Sequence, residues 1–249
     1  MSGAGAGTLL AGRVVLVAGA HGGLGSEAAK ACARAGATVV LLGRKVPRLN
    51  RIHDAIAAGG GRALLYPLDL EGAGADDYAE MAQRIGDELG RLDGVLHCAA
   101  EFKGLTPLLH TDPADFARVL HVGVTARWWL TQACLPLLAE SDAASVVFAI
   151  DDLALTGQAF WGAYGLAQQA MAALVPMLQA ELGDAGPRIS GFQPGPMRTA
   201  LRGRAFMADQ DRDARDPAVY APACVELLSP AGAAWRGRTM VASPEPRPA

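Results

Sequence analysis

The chain has 249 residues, 51% of them apolar and 19% charged, with a formal net charge of −3. That composition excludes a disordered chain and suits one α/β domain over 1–249 with a sizeable buried core. The small negative charge gives no electrostatic reason to expect nucleic acid or an anionic membrane as a partner.

Met1 to Gly7 reads as a Gly/Ala tail without the basic start of a secretory signal. The apolar run Val14-Val15-Leu16-Val17 is too short to span a bilayer. Cys32, Cys98, Cys134 and Cys224 are far apart and lack metal or redox spacing, so core thiols in a reducing cytoplasm are expected. Short apolar, β-branched runs then alternate with longer helical patterns. A strand near 13–18 leads to a helix near 24–35, and a strand near 37–42 to a helix near 47–58. Strands near 62–67 and 93–98 precede helices near 75–89 and 113–138, and a strand near 144–150 precedes a helix near 159–183. A strand near 188–193, a helix near 217–228 and a strand near 238–242 complete the pattern, followed by a loose Pro-rich tail at 243–249. Such alternation argues for a parallel sheet covered on both faces. The segment 194–216 breaks it by mixing Arg198, Arg202 and Arg204 with Leu201, Phe206 and Met207. It is either a flap over a site or a solvated connection.

The first strand runs into Gly19-Ala20-His21-Gly22-Gly23-Leu24-Gly25 and then a helix. Glycines there permit a tight turn and let backbone N–H groups approach a pyrophosphate at the helix N-terminus. The second strand, near 37–42, is followed by Gly43, Arg44 and Lys45. An NAD site usually places an acid there for the ribose 2′-hydroxyl; here no carboxylate would repel a 2′-phosphate, and Arg44 can pair with one. NADP(H) is therefore favoured over NAD(H), the alternative being that Arg44 is a surface charge.

Together these segments resemble the short-chain dehydrogenase/reductase family over nearly the whole chain, and in particular a bacterial branch of oxidoreductases. Gly19, Gly23, Leu24 and Gly25 match its glycine loop, in which His21 also lies; Leu68-Asp69-Leu70 matches the stretch that meets the adenine. His97-Cys98-Ala99-Ala100 stands at its Asn-Asn-Ala-Gly motif, which brings Ala99 to the cofactor. Pro194-Gly195-Pro196-Met197-Arg198-Thr199 matches Pro-Gly-x-x-x-Thr, whose backbone and threonine meet the nicotinamide carboxamide. The resemblance implies a doubly wound Rossmann fold with seven parallel strands in the order 3-2-1-4-5-6-7. It also implies a homodimer or homotetramer built on the helices at 113–138 and 159–183. Trp128 and Trp129 on the first of these are candidates for core, interface or both, with at least one expected in the core.

In that family a Tyr exchanges the proton, and a Lys four residues later lowers its pKa and holds the nicotinamide ribose. A Ser orients the substrate carbonyl, and an Asn in the fourth helix organises a water relay. The resemblance places Tyr164 at the tyrosine, Gln168 at the lysine, Asp151 at the serine and Gly123 at the asparagine. A free tyrosine has a pKa of about 10, so only roughly one molecule in a thousand is phenolate at neutral pH. Gln168 cannot favour the phenolate, and an Asp151 carboxylate beside it would oppose ionisation. Alcohol oxidation by the usual route should suffer; carbonyl reduction with neutral Tyr164 as donor stays open. Asp151 could donate if desolvation keeps it protonated, would repel a developing alkoxide if ionised, or could bind a cationic substrate group. His97 and His121 are alternative acid/bases, although strand and helix interiors favour structural histidines. No metal-ligand spacing and no Gly-x-Ser-x-Gly nucleophile is present. Two readings follow: a divergent oxidoreductase acting on a small-molecule carbonyl or alcohol, and an inactive cofactor-binding protein acting on a partner.

Overall fold

The apolar runs become parallel strands because crossover helices bury both of their faces. In the computed structural model, which describes residues 8–207 and 213–242, β1 (Val14–Ala18) and β4 (Gly94–His97) are buried along their whole length. Beside them run β2 (Thr38–Gly43), β5 (Ser145–Ala149) and β6 (Arg188–Gln193), with β3 (Arg62–Pro67) and β7 (Thr239–Val241) at the edges. The order is β3-β2-β1-β4-β5-β6-β7 and every pairing is parallel, as the resemblance implied. Side chains alternate between two cores. Val15 and Val17 face α1 (Gly23–Arg34), α2 (Val46–Ala58) and α8 (Ala221–Leu228). Val14 and Leu16 face α3 (Ala75–Leu89), α5 (Ala126–Ala139) and α7 (Gly162–Leu182).

A buried carboxylate fixes the strand starts. Asp93 Oδ2 accepts from Val14 N at 2.8 Å and from Arg91 Nε at 2.8 Å. Its Oδ1 accepts from Arg91 Nη2 and from Ser141 Oγ, both at 2.6 Å. Burial alone would raise this carboxyl's pKa. The Arg91 and Ser141 hydrogen bonds and the Val14 N–H outweigh it and hold the group below the ordinary carboxylate value.

Several boundaries differ from the sequence reading. The run expected as one helix over 113–138 is α4 (Pro113–Leu120), a π-helical turn over His121–Thr125, and α5. Gly123 sits in the wide turn, where a Cβ would lie 2.8 Å from Ala167 Cβ on α7. Helix α7 starts at Gly162 rather than 159, because Phe160 (φ 76) and Gly162 (φ 48) turn the chain. Before it, Asp152 caps a short helix, α6 (Leu153–Thr156), that periodicity did not reveal. The helix expected over 217–228 begins as a 3-10 turn, Pro217–Tyr220, before α8. Trp128 is 43% exposed and Trp129 packs only at the core margin, so neither is the core residue expected. In the segment 194–216, Arg198 N donates to Arg215 O at 2.8 Å and Arg215 N to Pro196 O at 2.9 Å, which closes its base. Residues 208–212 of that segment, the first seven residues and the tail at 243–249 lie outside the described residues.

Candidate active site

A cleft of about 290 Å³ opens at the carboxyl ends of β1 and β4. Strands are laid down outward to one side from β1 and then to the other side from β4, so the strand order reverses between those two, the place where open α/β sheets bind ligands. Its wall begins at the glycine loop. Gly19 has φ 82, and a Cβ there would lie 2.6 Å from Ala99 N, so only glycine lets the loop cross β4 this closely. Helix α1 then starts with no side-chain cap, leaving its first N–H groups to a ligand. A Cβ on Gly23 would meet Thr199 Cγ2 at 2.5 Å, so the loop packs directly against the Pro194–Thr199 turn.

His21 occupies the space that a side chain at Gly43 would need, since a Cβ there would run into its Nδ1. An acid at the end of β2 therefore has no room while His21 keeps this position. Burial first, then Lys45, Arg48 and Arg44, lower the His21 pKa and keep the ring neutral. Its buried Nδ1 has no hydrogen-bond partner among the described residues. Arg44 and Arg48 line the same end of the cleft. Arg44 faces Asp69 at 3.7 Å, Glu71 at 3.5 Å and Glu101 at 3.5 Å, loose contacts that an anionic ligand could replace. Leu70, Ala99, Pro194 and Gly195 also line the cleft.

Tyr164, Asp151 and Gln168 meet at the other end of the cleft. The Tyr164 hydroxyl donates to Asp151 Oδ2 at 2.8 Å, and Gln168 Oε1 accepts from Asp151 N at 2.9 Å. Tyr164 and Gln168 share a face of α7 because they are four residues apart. Burial, then the Asp151 charge and hydrogen bond, push the Tyr164 pKa well above 10, against weaker opposition from Arg127 and Arg202. The phenol is thus held neutral: suited to give a proton, unsuited to take one. Trp161 lines the cleft here and stacks on Phe102 at 5.2 Å between ring centroids, with Phe206 tilted against it at 6.2 Å. Gly123 does not reach the cleft; its neighbour Val122 does.

The sequence reading missed Arg127. It is 2% exposed, and its guanidinium donates from Nη1 to Ala149 O at 3.1 Å and from Nε and Nη2 to Ala99 O. The available signal was a lone charge on an otherwise apolar helix, one turn after Gly123. The two histidines considered as substitutes are not in the cleft. His97 is fully buried and stacked on Phe148 at 4.6 Å, and burial drives its pKa well below 6.5. Thr131 Oγ1 donates to Arg127 O at 2.8 Å, so it accepts from His97 Nε2 at 2.9 Å; this fixes the Nε2–H tautomer. His121 packs edge-on against Trp129 at 5.6 Å.

The model of the short chain dehydrogenase family matches residues 13–210. The chain belongs to that family. It is 36% identical over 241 residues to the uncharacterized oxidoreductase YciK of Escherichia coli K12, covering 96% of this chain and 95% of that one. A short chain dehydrogenase structure from Shigella flexneri 2a, solved with NADP, matches with TM-score 0.90 and 36% identity over 96% of this chain and all of that one. One from Escherichia coli CFT073, solved with NADPH, matches with TM-score 0.89 and 37% identity over 95% of this chain and 98% of that one. Family membership makes this an oxidoreductase fold with a nicotinamide dinucleotide site. Among the described residues, no helix is long and apolar enough to cross a membrane.

Proposed function

We propose that the protein is an NADP(H)-dependent reductase that converts a carbonyl into an alcohol, with Tyr164 as proton donor. The observation that carries this reading is the cleft itself, which joins an uncapped glycine-loop helix start to a buried phenol held in its neutral form. The bound dinucleotide would supply the hydride. Gly19 to Gly25 would hold its pyrophosphate, Asp69 and Leu70 its adenine, and Ala99, Pro194, Gly195 and Thr199 its nicotinamide end. His21, Arg44 and Arg48 give the 2′-phosphate end a neutral ring and two cations, and the closed space at Gly43 keeps an acid out. The bound NADP and NADPH of the two relatives support the same preference. Substrate would enter beside Trp161 and Leu201, an apolar wall that suits a hydrophobic carbonyl compound. Its oxygen must replace Asp151 as the acceptor of the Tyr164 proton.

That requirement favours one other reading. Tyr164, Asp151 and Gln168 satisfy one another's hydrogen bonds, as expected of a protein that binds the dinucleotide without turning over. Calorimetric titration with NADPH and NADP⁺, followed by turnover on a panel of aldehydes and ketones, separates the two. A reductase should lose about 10²-fold or more of its rate in Tyr164→Phe. Tight binding with wild-type turnover no higher than that variant's would establish the non-catalytic reading instead.

A further inference from the structure

With Gln168 at the lysine position, α7 brings no ammonium to the reaction centre, yet a cation is there. Arg127 stands at the carboxyl ends of β4 and β5, and among the described residues its hydrogen bonds go only to the main-chain oxygens of Ala99 and Ala149. Those bonds engage three of the five guanidinium N–H donors. Among the described residues no carboxylate pairs with it, although burying a charge without one is costly. A strap between two carbonyl oxygens needs only a neutral donor, so the charge calls for its own explanation. The charged and titratable groups facing Tyr164 are Asp151 after β5, Arg127 from α5 and Arg202 from the segment after β6. Arg127 in turn is influenced by Tyr164 and by Cys98. The cation is therefore close enough to favour negative charge on the tyrosine oxygen, and both groups line the cleft.

We infer that Arg127 is a positioning residue for the proposed reductase: it carries, from α5, the positive charge missing at Gln168, and so biases the site toward reduced cofactor and carbonyl reduction. This rests on the reductase reading above. In that direction the carbonyl carbon gains the hydride, its oxygen gains the Tyr164 proton, and solvent returns a proton to the phenolate. The dinucleotide is oxidised as the carbonyl is reduced. A buried cation stabilises the transient oxyanions on this path. It also repels the positively charged ring of NADP⁺ while leaving the neutral ring of NADPH alone.

The ratio of NADP⁺ to NADPH dissociation constants reads this charge without requiring turnover. Calorimetry on wild type, Arg127→Gln, Arg127→Lys and the double variant Arg127→Gln/Gln168→Lys should show a wild-type preference for NADPH. Arg127→Gln should reduce that preference on the order of tenfold, as for one unit charge acting across a single layer of protein. Arg127→Lys should keep it, and the double variant should recover it by moving the charge to α7. Equal weakening of both forms in Arg127→Gln, or no change in either, would overturn the inference and leave Arg127 a strap for Ala99 and Ala149. If Arg127→Gln does not fold in a thermal melt, the wild-type ratio decides: a preference for NADP⁺ overturns the inference and a preference for NADPH upholds it. Wild type binding neither dinucleotide would instead refute the reductase reading and this inference with it.

Discussion

A carboxylate at position 151 changes what Tyr164 can do more than the loss of the lysine does. Gln168 merely fails to help ionisation, whereas Asp151 opposes it through both its charge and its hydrogen bond. Asp151→Asn should therefore move Tyr164 ionisation to lower pH. Absorbance at the tyrosinate band, taken as a difference against Tyr164→Phe to remove Tyr66, Tyr78 and Tyr220, measures it; an unmoved onset would show that burial alone sets the value. Gly123 has a different explanation from the one its family position suggests. An asparagine there would press on Ala167, with Cβ atoms 2.8 Å apart, so the site cannot be restored by that exchange without shifting α7. Gly123→Ala should destabilise the fold by about 1–3 kcal/mol of overpacking, offset in part by up to about 1 kcal/mol of helix propensity. A differential-scanning melt should then fall by roughly 2–8 °C, and an unchanged or higher melting point would mean that the two helices are free to separate. The family resemblance made the cluster of Tyr164, Gln168 and Asp151 legible, and it forms because residues four apart share a helix face and the end of a strand has a fixed place in the sheet. Arg127 was not legible, since nothing local tells that its side chain crosses to Ala99 and Ala149.

Helices α5 and α7 show what periodicity reveals and what it misses. Both are apolar nearly all round, which marks helices covered on more than one side. One face of each packs on the sheet, but Trp128 on α5 and Leu166 and Met177 on α7 stay 43%, 53% and 59% exposed. Among the exposed positions of α7, Leu166, Gln169, Ala173, Pro176 and Met177 follow a helical spacing with one polar residue, an interface pattern rather than a solvated one. We propose that these faces meet their copies in a homodimer or homotetramer. Light scattering on a gel-filtration column should show the wild type as an oligomer and Leu166→Asp as a monomer with unchanged helicity. A monomeric wild type would refute it. The break of the long helix at His121–Thr125 could not be read from its apolar spacing, which continues through the wide turn; close approach of α7 at Gly123 is a tertiary cause.

For the whole molecule, the same sheet that was legible as alternating apolar runs also buries groups that can titrate, and this bounds the pH range of the fold. His97 and His21 are held neutral with pKa values below 6.5, burial being the main cause in both. Below about pH 6.5 the unfolded chain takes up protons that the folded chain refuses, so stability falls as pH falls. Asp93 adds to this at lower pH, because its depressed pKa stabilises the fold only while the carboxylate stays ionised. On the alkaline side burial raises Cys32, Cys98 and Cys134 to about 12, and Tyr78 likewise to about 12. Unfolded thiols ionise from about pH 8.5, so above that pH the unfolded chain loses protons that the folded chain keeps, and stability falls again. The melting temperature should therefore be flat between about pH 6.5 and 8.5 and decline on either side. His97→Gln, which keeps a donor for Thr131 but cannot be protonated, should flatten the decline between about pH 6.5 and 5 relative to wild type. Parallel melting curves for the two proteins over that interval would show that His97 is not what limits the fold in mild acid.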